Sequence, residues 1–451
     1  MRIILASRNA LPQSIGGGEV HMLALAKAFK KQGHDVSILT VDGTVDKTKY
    51  IRRSEFSDVA IDYISVPKNL SKYHRDDSLT DWADKWLVEQ NADILHLFLF
   101  SNLLGLIPAA RNLNIPVFLT ALEFSYFCRR FDLMRNGTEL CVPGTRGSDC
   151  EECSRNSYSR NQRGLATMAR LIPAGVELGI RNIPIKLLNQ DRLPALGERT
   201  ITTQIDAQRI SFSKDITGVI APSSIMKRFY IANEVPESKI HFVPYGTDVK
   251  PLEFSTNGNG HKALRIGYIG RFHPLKGIHV LCDAVKQLPR EYPIEVQIFG
   301  PAEAGVPGYS EQIQSFIKED GRIKIRGSLD REGVPQAYRN LDVLVVPSTW
   351  YENSPITMSE ALACKCPVIC SDTAGMTDLV EDGVNGLTFP VGDSAALAKC
   401  LRRLVEETGL LGSLRKNIKP IETTEEIATK ISSLYRNALG KTTEVKTAAG
   451  E

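Results

Sequence analysis

The sequence has no excess of charge of one sign. Its 451 residues carry 55 Lys and Arg against 52 Asp and Glu, and the formal net charge of +3 is too small to argue for a nucleic-acid partner. Long apolar runs are also missing. The longest candidate, Leu95 to Ala110, is broken by Ser101, Asn102, Gly105 and Pro108, so no stretch reaches the ~18–20 residues that span a bilayer. Met1 to Ser7 hold one basic residue and a short apolar stretch, which reads as a first strand and not as an export signal. With no such signal, a reducing cytoplasmic setting is the expectation for the nine unevenly placed cysteines. A dinucleotide fingerprint is absent too: after Gly16-Gly17-Gly18, the G-x-G-x-x-G pattern would need glycine where His21 stands.

Apolar residues make up 42% and charged residues 24%, which suits a soluble globular protein with two or three domains. Short apolar strands alternate with helical or loop segments from residue 2: strands over 2–7, 36–40, 61–66, 94–100 and 116–120, and a first helix with Met22, Leu25, Ala26 and Phe29 on one face before Gly33. This is the rhythm of a doubly wound parallel sheet. The stretch 128–215 departs from it, being cysteine-containing and then rich in Arg and Pro; the rhythm resumes at 218–223. A polar stretch over 255–262 has linker composition. The pattern then restarts, with strands over 264–269, 294–299, 322–326, 342–347 and 366–370 and a helix burying Ile278, Leu281, Cys282, Val285 and Leu288. Two α/β units are therefore expected: 1–254, with the insertion 128–215, and 266–420, joined by a linker over 255–265. A helix over 421–439, with Ile427, Ile431, Leu434 and Tyr435 on one face, precedes a tail, 440–451, expected to be disordered.

Glu352 and Glu360 stand eight apart in Glu352-Asn353-Ser354-Pro355-Ile356-Thr357-Met358-Ser359-Glu360. Ser354 suits a helix N-cap and Pro355 the first helical position, which leaves the Ile356 and Thr357 N–H groups aimed at an anion near the end of the preceding strand. One carboxylate near that anion and one two turns farther fit a nucleotide sugar. The loop from Gly267 to Gly277, containing Gly270, Arg271 and Lys276, places two cations at another strand end, where a diphosphate needs neutralising; solvated cations on a surface loop are the bland alternative. Gly16, Gly17 and Gly18 form a glycine turn before a helix, expected to face this anion site across a cleft.

These segments resemble the retaining GT-B glycosyltransferases of family 4. The resemblance takes in Gly16-Gly17-Gly18-Glu19, Gly33-His34-Asp35-Val36, Ala221-Pro222-Ser223, Val243 to Asp248, Gly270-Arg271 with Lys276-Gly277, the glutamate segment, Pro367-Val368-Ile369, and Glu381 to Gly386. It implies two Rossmann-like domains facing across a cleft, the 1–254 unit on the acceptor side and the 266–420 unit on the donor side, with the C-terminal helix crossing back to the N-terminal domain. It also implies roles: Arg271 and Lys276 hold the donor diphosphate, Glu352 contacts the transferred sugar, Glu360 the ribose, and the backbone of Gly16–Gly18 closes on the donor. No metal is required for the diphosphate. The acceptor is a glycan or lipid-linked sugar, in polysaccharide or glycoconjugate synthesis. The family often has His-Asp after the strand that here ends at Thr120, where this chain has Leu122 and Glu123. His96 and Glu123 are the acceptor-side candidates, with a packed histidine as the alternative for His96.

Cys128, Cys141, Cys150 and Cys153, spaced C-x12-C-x8-C-x2-C, read as a structural zinc site; an iron–sulfur cluster, disulfides and unrelated thiols are the alternatives. Basic residues such as Arg155, Arg163, Arg170 and Arg181, interleaved with Leu165, Met168 and Leu171, point to peripheral contact with a membrane through 155–200, or to a basic solvated face. The competing functions are a nucleotide-sugar epimerase of the same fold and a silent nucleotide-sugar-binding protein.

Overall fold

Alternation of apolar strands with amphipathic helices produces two separate sheets. The computed structural model describes residues 1–14, 16–67, 77–99, 102–124, 126–128, 130, 132–144, 150, 152–153, 213–249, 263–302, 306, 308–330 and 332–448, with side chains to 440. The basic stretch 155–200 lies outside the described residues, as does most of the linker.

The first sheet draws on β1 (Arg2–Ser7), β2 (Asp35–Val45), β3 (Lys49–Phe56), β4 (Val59–Pro67), β5 (Ile94–Leu97) and β6 (Val117–Thr120). After a small hairpin of β7 (Met134–Arg135) and β8 (Glu139–Leu140), β9 (Gly218–Ala221) and β10 (Ile240–Phe242) complete it. Its order is β10-β9-β6-β5-β1-β2-β4-β3, and only β3 with β4 is antiparallel. The second sheet comprises β11 (Leu264–Ile269), β12 (Ile294–Phe299), β13 (Ile323–Gly327), β14 (Val343–Val346), β15 (Val368–Ser371) and β16 (Gly386–Phe389). It is parallel throughout, in the order β13-β12-β11-β14-β15-β16. Central strands such as β5, β6, β14 and β15 are buried along their whole length, which is why each is a short apolar run without alternation.

The first unit carries helices α1 (Gly17–Lys31), α2 (Asp77–Glu89), α3 (Leu106–Asn112) and α4 (Ser224–Ala232). The second carries α5 (Ile278–Lys286), α6 (Tyr309–Glu319), α7 (Val334–Arg339), α8 (Ile356–Ala363), α9 (Ser394–Glu406) and α10 (Leu410–Lys416), and α11 (Thr424–Ala448) ends the chain. The apolar face of α11 leaves the second unit and packs on the first: Ile427, Ile431 and Tyr435 share a core with Ile3, Leu25 and Phe29. Lys31 pairs with Glu425 at 2.6 Å on its rim.

Strand order reverses beside β1, between β2 and β5, and again beside β11, between β12 and β14. A crevice opens at such a point beyond the carboxyl ends of the strands, which makes the loops after β11 and β14 the candidate ligand site.

Several boundaries differ from the sequence reading. The β3 edge strand is exposed over most of its length and so carries no apolar signal. Strand β11 covers Leu264–Ile269 as expected, so the linker ends before 264 and not at 265. Helix α11 continues to Ala448, where a disordered tail was expected from 440; residues after 440 extend a helix already nucleated on the first unit.

Candidate active site in the cleft between the sheets

The β11–α5 loop is shaped by glycine. Gly277 has φ 71, and a Cβ there would lie 1.8 Å from the Pro347 carbonyl oxygen, so the loop after β11 touches the backbone at the end of β14. Thr349 N–H donates to the Leu275 carbonyl at 2.9 Å across the same contact. The turn over Pro274–Lys276 begins at His273, whose Nδ1 accepts from Leu275 N–H at 3.2 Å.

This docking delivers Lys276 to Glu352. Lys276 Nζ donates to both carboxylate oxygens, at 2.7 and 3.0 Å. Ser348 Oγ and Trp350 Nε1 donate to Glu352 Oε1 at 2.6 and 2.9 Å. Glu352 is only 6% exposed. Burial pushes its pKa up, but the Lys276 charge and the hydrogen bonds from Lys276, Ser348 and Trp350 outweigh burial and leave it below the ordinary glutamate value. The carboxylate is therefore charged and fixed, and only Lys276 touches Oε2 among the described residues. Arg271, at the other end of the loop, is exposed, and its guanidinium makes no ion pair among the described residues. It is free to meet an anion.

Helix α8 begins one residue later than its sequence indicates. Pro355 is the N-cap, with extended backbone, and Ser354 stands at φ 63. Ser354 Oγ accepts from Tyr245 N–H at 3.5 Å and does not cap the helix. Met358 N–H is the first in the helix to find a carbonyl, that of Pro355 at 3.0 Å, so the Ile356 and Thr357 N–H groups lead the helix into the cleft. Glu360 lies one turn farther. Tyr338 Oη stands 2.9 Å from the Thr357 carbonyl and 3.2 Å from Glu360 Oε2, sharing one proton between them.

The facing wall is the start of α1. Gly16 is its N-cap, while Gly17 and Gly18 are its first helical residues and not a turn before it; none of the three has positive φ. Their lack of side chains is what matters. A Cβ on Gly17 would lie 3.5 Å from Ile356 Cδ1 across the cleft, and one on Gly18 would lie 2.8 Å from Leu122 Cδ1. The sequence reading gave Glu19 no role. Its carboxylate folds back to the α1 N-terminus, 2.5 Å from where a Gly16 Cβ would stand, and accepts from Ser14 Oγ at 3.0 Å. A carboxylate group at this helix end makes the opposite wall the better candidate for an anion. Its position three residues after Gly16, as in a capping box, was the available signal.

Residues 15–121 match the model of the glycosyltransferase family 4 domain, and residues 263–407 match that of glycosyl transferases group 1. The chain belongs to glycosyltransferase family 4. Over 196 residues it is 30% identical to a phosphatidyl-myo-inositol mannosyltransferase of Mycobacterium leprae, covering 42% of this chain and 50% of that protein. It is 29% identical over 187 residues to a D-inositol 3-phosphate glycosyltransferase of Xylanimonas cellulosilytica, covering 38% and 44%. The matched region thus spans about half the length of these relatives or less. The family 4 chain is also similar in structure to Anabaena HepE in complex with UDP and glucose (TM-score 0.60, 16% identity, 96% of this chain and 98% of that one). It is similar to sucrose-phosphate synthase of Thermosynechococcus elongatus (TM-score 0.62, 17% identity, 98% and 99%). These likenesses show the GT-B fold.

A further expectation for the family 4 chain is corrected by the structure. His96 is not at the acceptor side. It is fully buried, with Nε2 2.7 Å from Thr120 Oγ1 and Nδ1 against Tyr435 Oη of α11, and burial, followed by the influence of His21, takes its pKa down to about 3. Glu123 is half-buried beyond β6. The four cysteines do gather: burial first, then the thiols of Cys128, Cys153 and Cys150, push Cys141 up to about 12. Yet among the described residues no three Cys, His, Asp or Glu side chains are placed to hold a metal ion. Cys153 Sγ instead accepts from Asn136 N–H at 3.1 Å, and Cys128 Sγ lies 4.0 Å from Asp132 Oδ1. Among the described residues no helix is long and apolar enough to cross a membrane.

Proposed function

We propose that this chain transfers a sugar, with retention, from a nucleoside-diphosphate sugar to a hydroxyl of a glycan or lipid-linked acceptor. The observation that carries the reading is the cleft wall at β11 and β14: exposed Arg271, the Lys276–Glu352 pair and the N-terminus of α8 converge where strand order reverses. That wall supplies cations and backbone N–H groups to a leaving diphosphate and a fixed carboxylate to sugar hydroxyls. Stabilising the departing charge is the main catalytic task, and preorganised donors in a cleft are suited to it.

In this scheme Arg271 and Lys276 hold the diphosphate with the Ile356 and Thr357 N–H groups. Glu352 orients the sugar through Oε2, and Glu360, steered by Tyr338, takes the ribose. The leaving phosphate oxygen accepts the acceptor's proton, so the protein supplies no nucleophile. HepE, which binds UDP and glucose, and the mannosyl- and glycosyltransferase relatives support this donor class. Structural zinc rests on the cysteine spacing alone and takes part in no step; elemental analysis of protein purified without chelator decides it, at one equivalent or none.

The test is a thermal-shift panel of UDP-, GDP- and ADP-sugars, because a ligand that binds only the folded state raises its stability by mass action. It is followed by product analysis with the sugar that shifts the transition. Transfer supports the proposal. Epimerised sugar, or binding without turnover on any acceptor, would replace it with one of the other two readings.

A further inference from the structure

The residue between the two best-placed groups of the site, Asn353, has its side chain turned away from the cleft wall it belongs to. Its Oδ1 accepts from Ser223 Oγ at 2.9 Å, and its Nδ2 donates to the Ala121 carbonyl. Both partners belong to the first unit. Ala121 follows β6 and Ser223 is the N-cap of α4, just after β9; β6 and β9 are neighbours in the sheet. One planar carboxamide thus spans the carboxyl ends of two adjacent strands, with its acceptor end on a hydroxyl and its donor end on a carbonyl.

The surroundings make this a junction. Ser223 Oγ also accepts from Met226 N–H at 3.3 Å, so its one proton is directed to Asn353. Asp378 of the second unit accepts from Ser224 N–H at 2.7 Å beside it. A Cβ on Gly375, φ 97, would lie 2.0 Å from the Glu352 carbonyl oxygen and 3.6 Å from Ser223 Cβ, so three backbone segments meet there with no room for a side chain. Ser354, at φ 63, is held on the first unit through Tyr245 N–H. The turn that fixes Glu352 is therefore built from both units.

We infer that Asn353 is a positioning residue that couples approach of the two units to the placement of Glu352 for sugar transfer. This rests on the transferase reading of the same cleft. When the units separate, Asn353 loses both partners and the turn 352–354 loses its outer support. When they meet, the carboxamide fixes the turn while Lys276 and Ser348 hold the carboxylate from inside. The groups assigned to the diphosphate, Arg271, Lys276 and the start of α8, all lie on the second unit and do not need the junction.

The experiment compares wild type with Asn353→Ala, Asn353→Asp and Ser223→Ala. Small-angle scattering of each, without ligand and with saturating nucleoside diphosphate, is set beside titration calorimetry and kcat. The expected result is a larger radius of gyration in Asn353→Ala and a kcat lower by about tenfold or more, with nucleoside-diphosphate affinity within about twofold of wild type. Asn353→Asp, which has no N–H for the Ala121 carbonyl, follows Asn353→Ala. Ser223→Ala shows a smaller loss, and combining it with Asn353→Ala adds little. An unchanged radius of gyration in Asn353→Ala overturns the inference whatever kcat does, and so does nucleotide affinity falling in step with kcat. Scattering and nucleotide binding need no turnover, so a wild-type protein that transfers no sugar defeats the functional proposal without deciding the junction.

Discussion

Lys276 reaches across 76 residues of sequence to place its ammonium 2.7 and 3.0 Å from the two oxygens of Glu352. Glu352 is buried with Ser348 and Trp350 on its carboxylate, whereas the Lys276 side chain remains 23% exposed. Removing Lys276 leaves the Glu352 carboxylate buried and unpaired, at a cost of about 3 kcal/mol, whereas removing Glu352 leaves a lysine that water still reaches and costs less. Lys276→Met is expected to lower the melting temperature clearly and abolish transfer, whereas Lys276→Met with Glu352→Gln recovers most of the stability and none of the transfer. Thermal unfolding of the two variants beside wild type checks this. Lys276→Met as stable as wild type would mean the pair is not formed in solution.

Glu360 and Glu352 are expected to separate in kinetics. Tyr338→Phe removes the hydroxyl that lies between the Thr357 carbonyl and Glu360. It should weaken nucleoside-diphosphate binding by about 3–10-fold, the worth of one ordinary hydrogen bond, because the effect reaches the ligand only through Glu360, and leave kcat near wild type. Glu352→Gln should do the reverse, lowering kcat more than affinity. Titration calorimetry with the free nucleoside diphosphate, beside steady-state kinetics, distinguishes them; a reversed order would exchange the ribose and sugar assignments.

The β11–α5 loop depends on Gly277. Its φ of 71 and the approach of the Pro347 carbonyl to 1.8 Å of a would-be Cβ leave no room for alanine. Gly277→Ala should cost on the order of 2 kcal/mol or more, because backbone and not a flexible side chain must move. Gly321, with nothing within 4 Å of a Cβ, is the control. Urea unfolding midpoints of the two variants should differ; equal midpoints would show that the loop yields easily.

Much of this was legible in the sequence because the signals are local. The apolar runs of β11 and β14, the face of α5 and the Gly-bounded cation loop announce themselves within a few residues. What was not legible depends on distant partners. Ser354 and Pro355 look like cap and first turn, but Ser354 adopts φ 63 so that its hydroxyl meets Tyr245, 109 residues away, and the helix starts later. His96 looks like a cleft residue at a strand end until α11 returns 339 residues later to cover it with Tyr435. The family resemblance implies that Glu352 contacts the sugar; that it is already held by Lys276 comes only from docking the two loops.

Acid should weaken the protein through two buried histidines. Burial takes both His21 and His96 from 6.5 down to about 3. The unfolded chain binds these protons near pH 6.5 and the folded chain refuses them until about 3. The stability is therefore fully present above 6.5 and lost as pH falls towards 3, at up to about 1.4 kcal/mol per pH unit for each histidine. Urea unfolding at pH 7.5, 6 and 5 should show the decline, and His96→Gln should have a shallower slope. An unchanged slope in that variant would mean that His96 titrates normally in the fold.

The central claim is that the β11–β14 wall binds a nucleoside diphosphate through Arg271 and Lys276. Arg271 is the cleaner probe, because it is exposed and its loss should change stability by no more than about 0.5 kcal/mol. The direct measurement is titration calorimetry of UDP, GDP and ADP into wild type and Arg271→Ala. The account predicts one-site binding of at least one of the three to wild type, and affinity lower by about 10–100-fold in a fully folded Arg271→Ala, as expected for losing a charge-assisted contact to phosphate. Equal affinity in the two proteins, or no binding of any of the three to wild type, would contradict it.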